Sequence, residues 1–131
     1  MLYFGSKIMG RKVDLEDRMV LFAVRFLEVC DKLPRTRIGF NLEHQLSRSS
    51  TAAALNYGEA QAAESTADFI HKLKIVLKEI RETIINLKII ATKPLLLDPI
   101  VDTVLNEAHQ LMAIFFQSIK TAKENQQKRN T

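Results

Sequence analysis

The chain has 131 residues, 47% apolar and 26% charged, with four Gly, three Pro, one Cys and no Trp. That is one domain of ordinary soluble composition, long enough to bury a core without disulfide staples, and too poor in Gly and Pro for a strand-and-turn fold. The formal charge of +4 belongs to the ends: residues 1–13 and 120–131 carry +3 each, which leaves −2 for the body. No apolar run reaches the length of a membrane span. The opening MLYFGSKIMGRK is too short in its apolar part for a secretory signal, and its charges follow that part instead of preceding it. A cytoplasmic protein without a membrane partner is the expectation, with residues 1–13 a flexible basic leader.

Asp14 to Leu33 is the first predicted helix. Met19, Phe22, Ala23, Phe26, Cys30 and Leu33 fall on a three-four repeat. Asp14, Glu16 and Asp17 gather in the first turn, where the helix dipole favours acids, and Pro34 stops the helix. Cys30, alone in the sequence and inside this pattern, reads as a small core hydrophobe. A basic loop, Pro34 to Arg37, follows.

The second helix is expected from Phe40 to about Ala63, with a stripe of mostly small residues: Leu42, Leu46, Ser49, Ala53, Asn56 and Ala60. Small residues let two helices approach closely, so Ser47 to Ala54 reads as a packing face. No His and carboxylate stand at a spacing that would make one of these serines a nucleophile. Gly58 marks a bend or a close neighbour.

Ser65 to Ala91 is the stretch that the rest must cover. It lacks Gly and Pro, and Ser65 followed by Asp68 forms a cap. Phe69, Leu73, Val76, Ile80, Thr83 or Ile84, Leu87 and Ile90 form one stripe, with Ile70, Leu77, Ile84 and Ala91 beside it. The rod would be about 40 Å long. Its apolar arc is wider than three partner helices require, and Ile70, Leu77 and Ile84 are the expected subunit interface of a homo-oligomer. After Pro94 and a leucine-rich loop, Asp98-Pro99 caps a fourth helix running through Phe115 and Ile119 to about Lys123. Residues 124–131 are expected to be a polar basic tail.

Four amphipathic helices joined by short loops over residues 14–123 predict an all-α, antiparallel up-down-up-down four-helix bundle. The Glu-x-x-His pairs of a di-iron bundle are absent, and His44, His71 and His109 lie on three different helices. Phosphate-loop and dinucleotide glycine patterns are missing as well. No metal, no cofactor and no catalytic residue is expected, and the chain reads as a non-enzyme. Polar residues set among the stripes, Gln45, Arg48, Asn56, Glu59, Glu79 and Glu82, are expected to form one structural network, since buried polar groups must pair.

The segment Gln45 to Leu87 resembles the bacterial four-helix-bundle family named for the 23S rRNA intervening sequence. The resemblance rests on Gln45 and Arg48; Asn56, Tyr57, Glu59 and Ala60; Ser65, Asp68 and Phe69; Lys78 and Glu79; and Glu82 and Thr83. Gly58 departs from the usually larger or charged residue, and residues 1–13 lie outside it. It implies a ring-shaped homo-oligomer, a pentamer, with no established enzymatic activity; distant relatives are accessory proteins of reverse transcriptases. The expected function is non-catalytic binding of nucleic acid, structured RNA in particular, through Arg11, Lys12, Lys72, Lys74, Lys78, Arg81, Lys120, Lys123, Lys128 and Arg129. The alternative is a scaffold or adaptor that binds only a protein partner.

Overall fold

A computed structural model describes residues 14–130. Four α-helices account for nearly all of them: α1 Leu15–Lys32, α2 Arg37–Gln61, α3 Thr66–Thr92 and α4 Pro99–Arg129. Each helix starts at a side-chain cap. Asp14, Thr36, Ser65 and Asp98 accept hydrogen bonds from the backbone N–H of Asp17, Gly39, Asp68 and Ile100, which satisfies donors that the first turn leaves open. The first helix ends where Pro34 forces Leu33 into extended backbone.

Two boundaries differ from the sequence expectation. The second helix begins three residues earlier than Phe40, because Thr36 is a capping residue and not part of a loop. The fourth runs on to Arg129, so residues 124–129 are helical and not a separate tail. Nothing between Ile100 and Arg129 breaks a helix, and Lys128 and Arg129 suit the negative end of its dipole. Arg129 also donates to the hydroxyl of Thr66 at the start of α3, which ties the last turn down. The expected basic leader, residues 1–13, lies outside the described residues.

The helices pack in a ring. The pair α2–α3 makes the most extensive contact, α1–α2 and α3–α4 follow, and α1 against α4 closes the bundle. Lys32 at the end of α1 reaches Asp98 at the start of α4 (3.1 Å), and Glu59 late in α2 meets Lys72 early in α3 (3.4 Å). These end-to-end pairings fit the up-down-up-down order.

Inside lie Phe22, Phe26, Leu46, Leu73, Val76, Ile80, Leu87, Leu111 and Phe115, all essentially without solvent exposure. Phe22 and Phe26 are 4.7 Å apart between ring centres, and Tyr57 meets the edge of Phe115 at 5.4 Å. Tyr57 therefore takes the inward place that the repeat assigned to Asn56, which is only half-buried and bonds back to the Ala52 carbonyl. Cys30 is buried, its thiol 3.6 Å from the Glu43 carbonyl; burial, with Glu43 and Asp31 adding, pushes it up to about 11. It is a packing residue, not a reactive thiol.

Among the described residues two glycines lie in helices, and they have opposite meanings. At Gly58 a Cβ would meet nothing within 4 Å, so the expected close neighbour does not explain it. At Gly39 a Cβ would stand 1.8 Å from the Pro34 carbonyl oxygen. The tight entry into α2 folds only because that side chain is missing. Gly39→Ala is accordingly expected to cost about 1–3 kcal/mol through forced backbone displacement. Urea denaturation checks this; a midpoint equal to wild type would contradict the close approach.

Candidate functional site

The body of the bundle holds two places where polar chemistry concentrates, one on each side of α3. The first is the α2–α3 seam. Ser49 and Thr83 are wholly buried there, with Thr83 Oγ1 2.8 Å from Ser49 Oγ and 2.8 Å from the Glu79 carbonyl oxygen. Small side chains on α2 bring the helices close, and the paired hydroxyls remove the penalty of burying them. Among the described residues every buried side-chain N or O atom has a partner.

At the rim of this seam Arg48 donates to Glu82 (2.8 Å) and to Glu79 (3.4 Å). The two carboxylates share a helix face three residues apart, as their spacing requires. Their environments separate them. Burial, then the hydrogen bond with Glu82, pushes the Glu79 carboxyl up against the pull of Arg48. The hydrogen bond from Arg48, then that with Glu79, holds Glu82 below the usual carboxylate range. The expected six-membered network is therefore smaller: Arg48, Glu79 and Glu82 cluster, while Gln45 donates to Asn41 (2.6 Å), Asn56 to its own helix, and Glu59 pairs with Lys72. Lys78 and Arg81 line the outer lip of the seam with Gln45 and Asn86.

The second place is an open groove of about 340 Å³ between α3 and α4. Leu77, Phe116 and Ile119 form its floor, and Lys74, Lys120 and Lys123 its rim. Three of the ten expected nucleic-acid residues thus converge from two helices, and no acid lines the groove. Lys72 is half-buried against Glu59 and stands apart. Lys128 and Arg129 are at the far end of α4, and Arg11 and Lys12 lie outside the described residues. Phe116, 63% exposed, was not anticipated. It falls just off the inward repeat of α4, and that offset was the available signal.

The expected interface residues need correction. Ile70 and Ile84 are buried in the chain's own core, which leaves only Leu77 of the three, half-buried in the groove floor, at the surface. The wide arc of α3 is used up by α2 on one side and α4 on the other. Exposed apolar residues on α3 are instead Ile85 and Ile89.

His44, His71 and His109 are exposed on separate helices, and among the described residues no three His, Cys, Asp or Glu side chains come together to hold a metal ion. No helix among them is long and apolar enough to cross a membrane.

The split between the carboxylates has a measurable consequence. Glu79, raised in the folded state, contributes stability only below its ordinary range and loses it as pH rises through the folded value. Glu82, lowered, contributes above its ordinary range and loses it as pH falls. At pH 7 Glu79→Gln is expected to melt at or above the wild-type temperature and Glu82→Gln below it, with both differences shrinking toward pH 3. Thermal melts at the two pH values check this. A Glu79→Gln variant less stable than Glu82→Gln at pH 7 would contradict the assignment.

The profile of a family described as 23S rRNA-intervening sequence protein matches residues 11–117. A crystal structure from Bacteroides thetaiotaomicron, described as a protein of unknown function from the S23 ribosomal protein family, superposes with a TM-score of 0.76 at 30% sequence identity. It covers 82% of this chain and 99% of its own. No curated protein matches. With the family profile spanning residues 11–117 and a 30%-identical solved member superposing over most of the sequence, this chain belongs to the 23S rRNA-intervening sequence protein family.

Proposed function

We propose that this protein is a non-catalytic, self-assembling bundle that binds RNA through the α3–α4 groove. One observation carries the reading: Lys74, Lys120 and Lys123 surround an exposed aromatic ring with no acid among them. Lysines gathered around one groove neutralise a phosphate backbone, and the face of Phe116 offers an unpaired base a surface on which to stack. The body as a whole is slightly acidic, so the attraction is local to this groove and to the basic ends. The family description refers to an rRNA intervening sequence and the solved neighbour's to a ribosomal protein family, which makes structured RNA the first probe to try. Repetition of the groove in a ring, the pentamer that the family resemblance implies, would multiply the contacts without any further residue.

The apolar floor supports a second reading. Leu77, Phe116 and Ile119 under a lysine rim also suit an acidic amphipathic helix of a protein partner, in which case the chain is an adaptor with no nucleic-acid affinity of its own.

Filter binding with a structured RNA separates the two. The RNA reading expects affinity that falls steeply with salt, and a loss of at least about tenfold in Lys74→Glu/Lys120→Glu/Lys123→Glu. Phe116→Ala is expected to cost about 1–3 kcal/mol if one base stacks on it. Absence of binding at low salt, or binding untouched by the triple substitution, would overturn the groove as an RNA site.

A further inference from the structure

The outer faces of α1 and α3 carry opposite charges around apolar residues that, among the described residues, nothing covers. On α1, Val20 and Leu27 are 38% and 40% exposed, two turns apart on one stripe. Glu16 precedes Val20 by one turn and Asp31 follows Leu27 by one turn, on the same face. Of the three cations in α1, Arg18 pairs with Glu107 of α4 and Lys32 with the α4 cap Asp98, and Arg25 sits off the Val20–Leu27 stripe. On α3, Ile85 and Ile89 are 52% and 48% exposed, over a shallow apolar groove that also includes Lys88, Thr92 and Lys93. Arg81 lies one turn before Ile85, and the nearby acid Glu82 is held by Arg48.

These two faces lie on opposite sides of the molecule. Both α1 and α3 pack against α2 and α4, so α1 and α3 sit diagonally in the ring and their outer faces point apart. A contact that joins them cannot be two-fold. It leaves one acidic and one basic face free after every addition, and it grows until the rotation closes a ring.

We propose that the acidic apolar face of α1 in one copy docks on the basic apolar face of α3 in the next, head to tail. This rests on the self-assembly reading above and supplies the surface that the buried Ile70 and Ile84 cannot. Apolar contact between Val20 and Leu27 on one copy and Ile85 and Ile89 on the other gives the attraction, and the flanking charges fix partner and direction. Lys74 is about 16 Å from Ile85 along α3, so the lysine groove and the docking face are separate patches of the same helix.

The test uses the full chain and two variants, Val20→Ser/Leu27→Ser and Ile85→Ser/Ile89→Ser, with light scattering at micromolar concentration. All four positions are exposed, so both variants should keep the wild-type helical circular dichroism; Leu27→Ser and Ile85→Ser alone serve as milder versions. The wild type is expected to be an oligomer and each variant a monomer. Mixed at high concentration, the two variants are expected to form a heterodimer that grows no further, because only one of its two possible contacts is intact. A monomeric wild type would overturn both this proposal and the self-assembly reading. An oligomeric wild type whose mass survives in either variant would overturn this proposal alone, the face in question then being solvated or covered by something else. Variants that are monomeric apart and stay monomeric when mixed would overturn the head-to-tail pairing.

Discussion

The close seam between α2 and α3 is the constraint on which the remaining structure depends. Ser49 and Ala53 are small enough for the helices to approach, and both are fully buried. The approach buries a hydroxyl on each helix, and the Ser49–Thr83 contact makes that burial tolerable. With α3 fixed against α2 along one side, Leu73, Val76, Ile80 and Leu87 point toward the centre, and α1 and α4 close over them. A larger residue at position 49 or 53 would push the rods apart and rotate the inward stripe of α3 off the core. Arg48, Glu79 and Glu82 lock the same register from the outside, at the edge of the solvent where an ion pair has little net strength but strong directional preference.

Helix period and capping made most of this architecture legible in the residues. Ser65 and Asp98 announce their helices because a capping oxygen followed by helix-forming residues has few other uses, and Pro34 ends α1 by steric necessity. What failed was local competition. Thr36 looked like loop because two arginines and a proline surround it, yet its hydroxyl caps α2. Tyr57 displaced Asn56 from the core because a 25-residue helix drifts relative to any fixed three-four count, and the ring finds an edge-on partner in Phe115. The role of Gly39 depends on where Pro34 places its carbonyl, which no pattern in the sequence states.

The candidate site was only partly legible, for a physical reason. Charge can be counted along a chain, which picks out Lys74, Lys120 and Lys123; their convergence depends on how α4 is rotated against α3. The same rotation decides which apolar residues remain outside. Ile70 and Ile84 belonged to a second apolar line, and α2 and α4 between them had room for both. Ile85, Ile89 and Phe116 belong to no line, and all three are left in solvent. Apolar residues off the helical repeat are thus the better guide to a surface in a bundle of this kind, because the core has no place for them.

Family and fold together describe a four-helix bundle, and the central claim about it is where its stability resides. Native-state amide hydrogen exchange tests this most directly. If the α2–α3 seam holds the molecule, amides from Leu46 to Ala53 and from Val76 to Leu87 exchange only through global unfolding, with α1 and the last turns of α4 opening at lower free energy. Exchange in which α1 or the end of α4 is the slowest segment, or in which the seam opens before the rest, would contradict it.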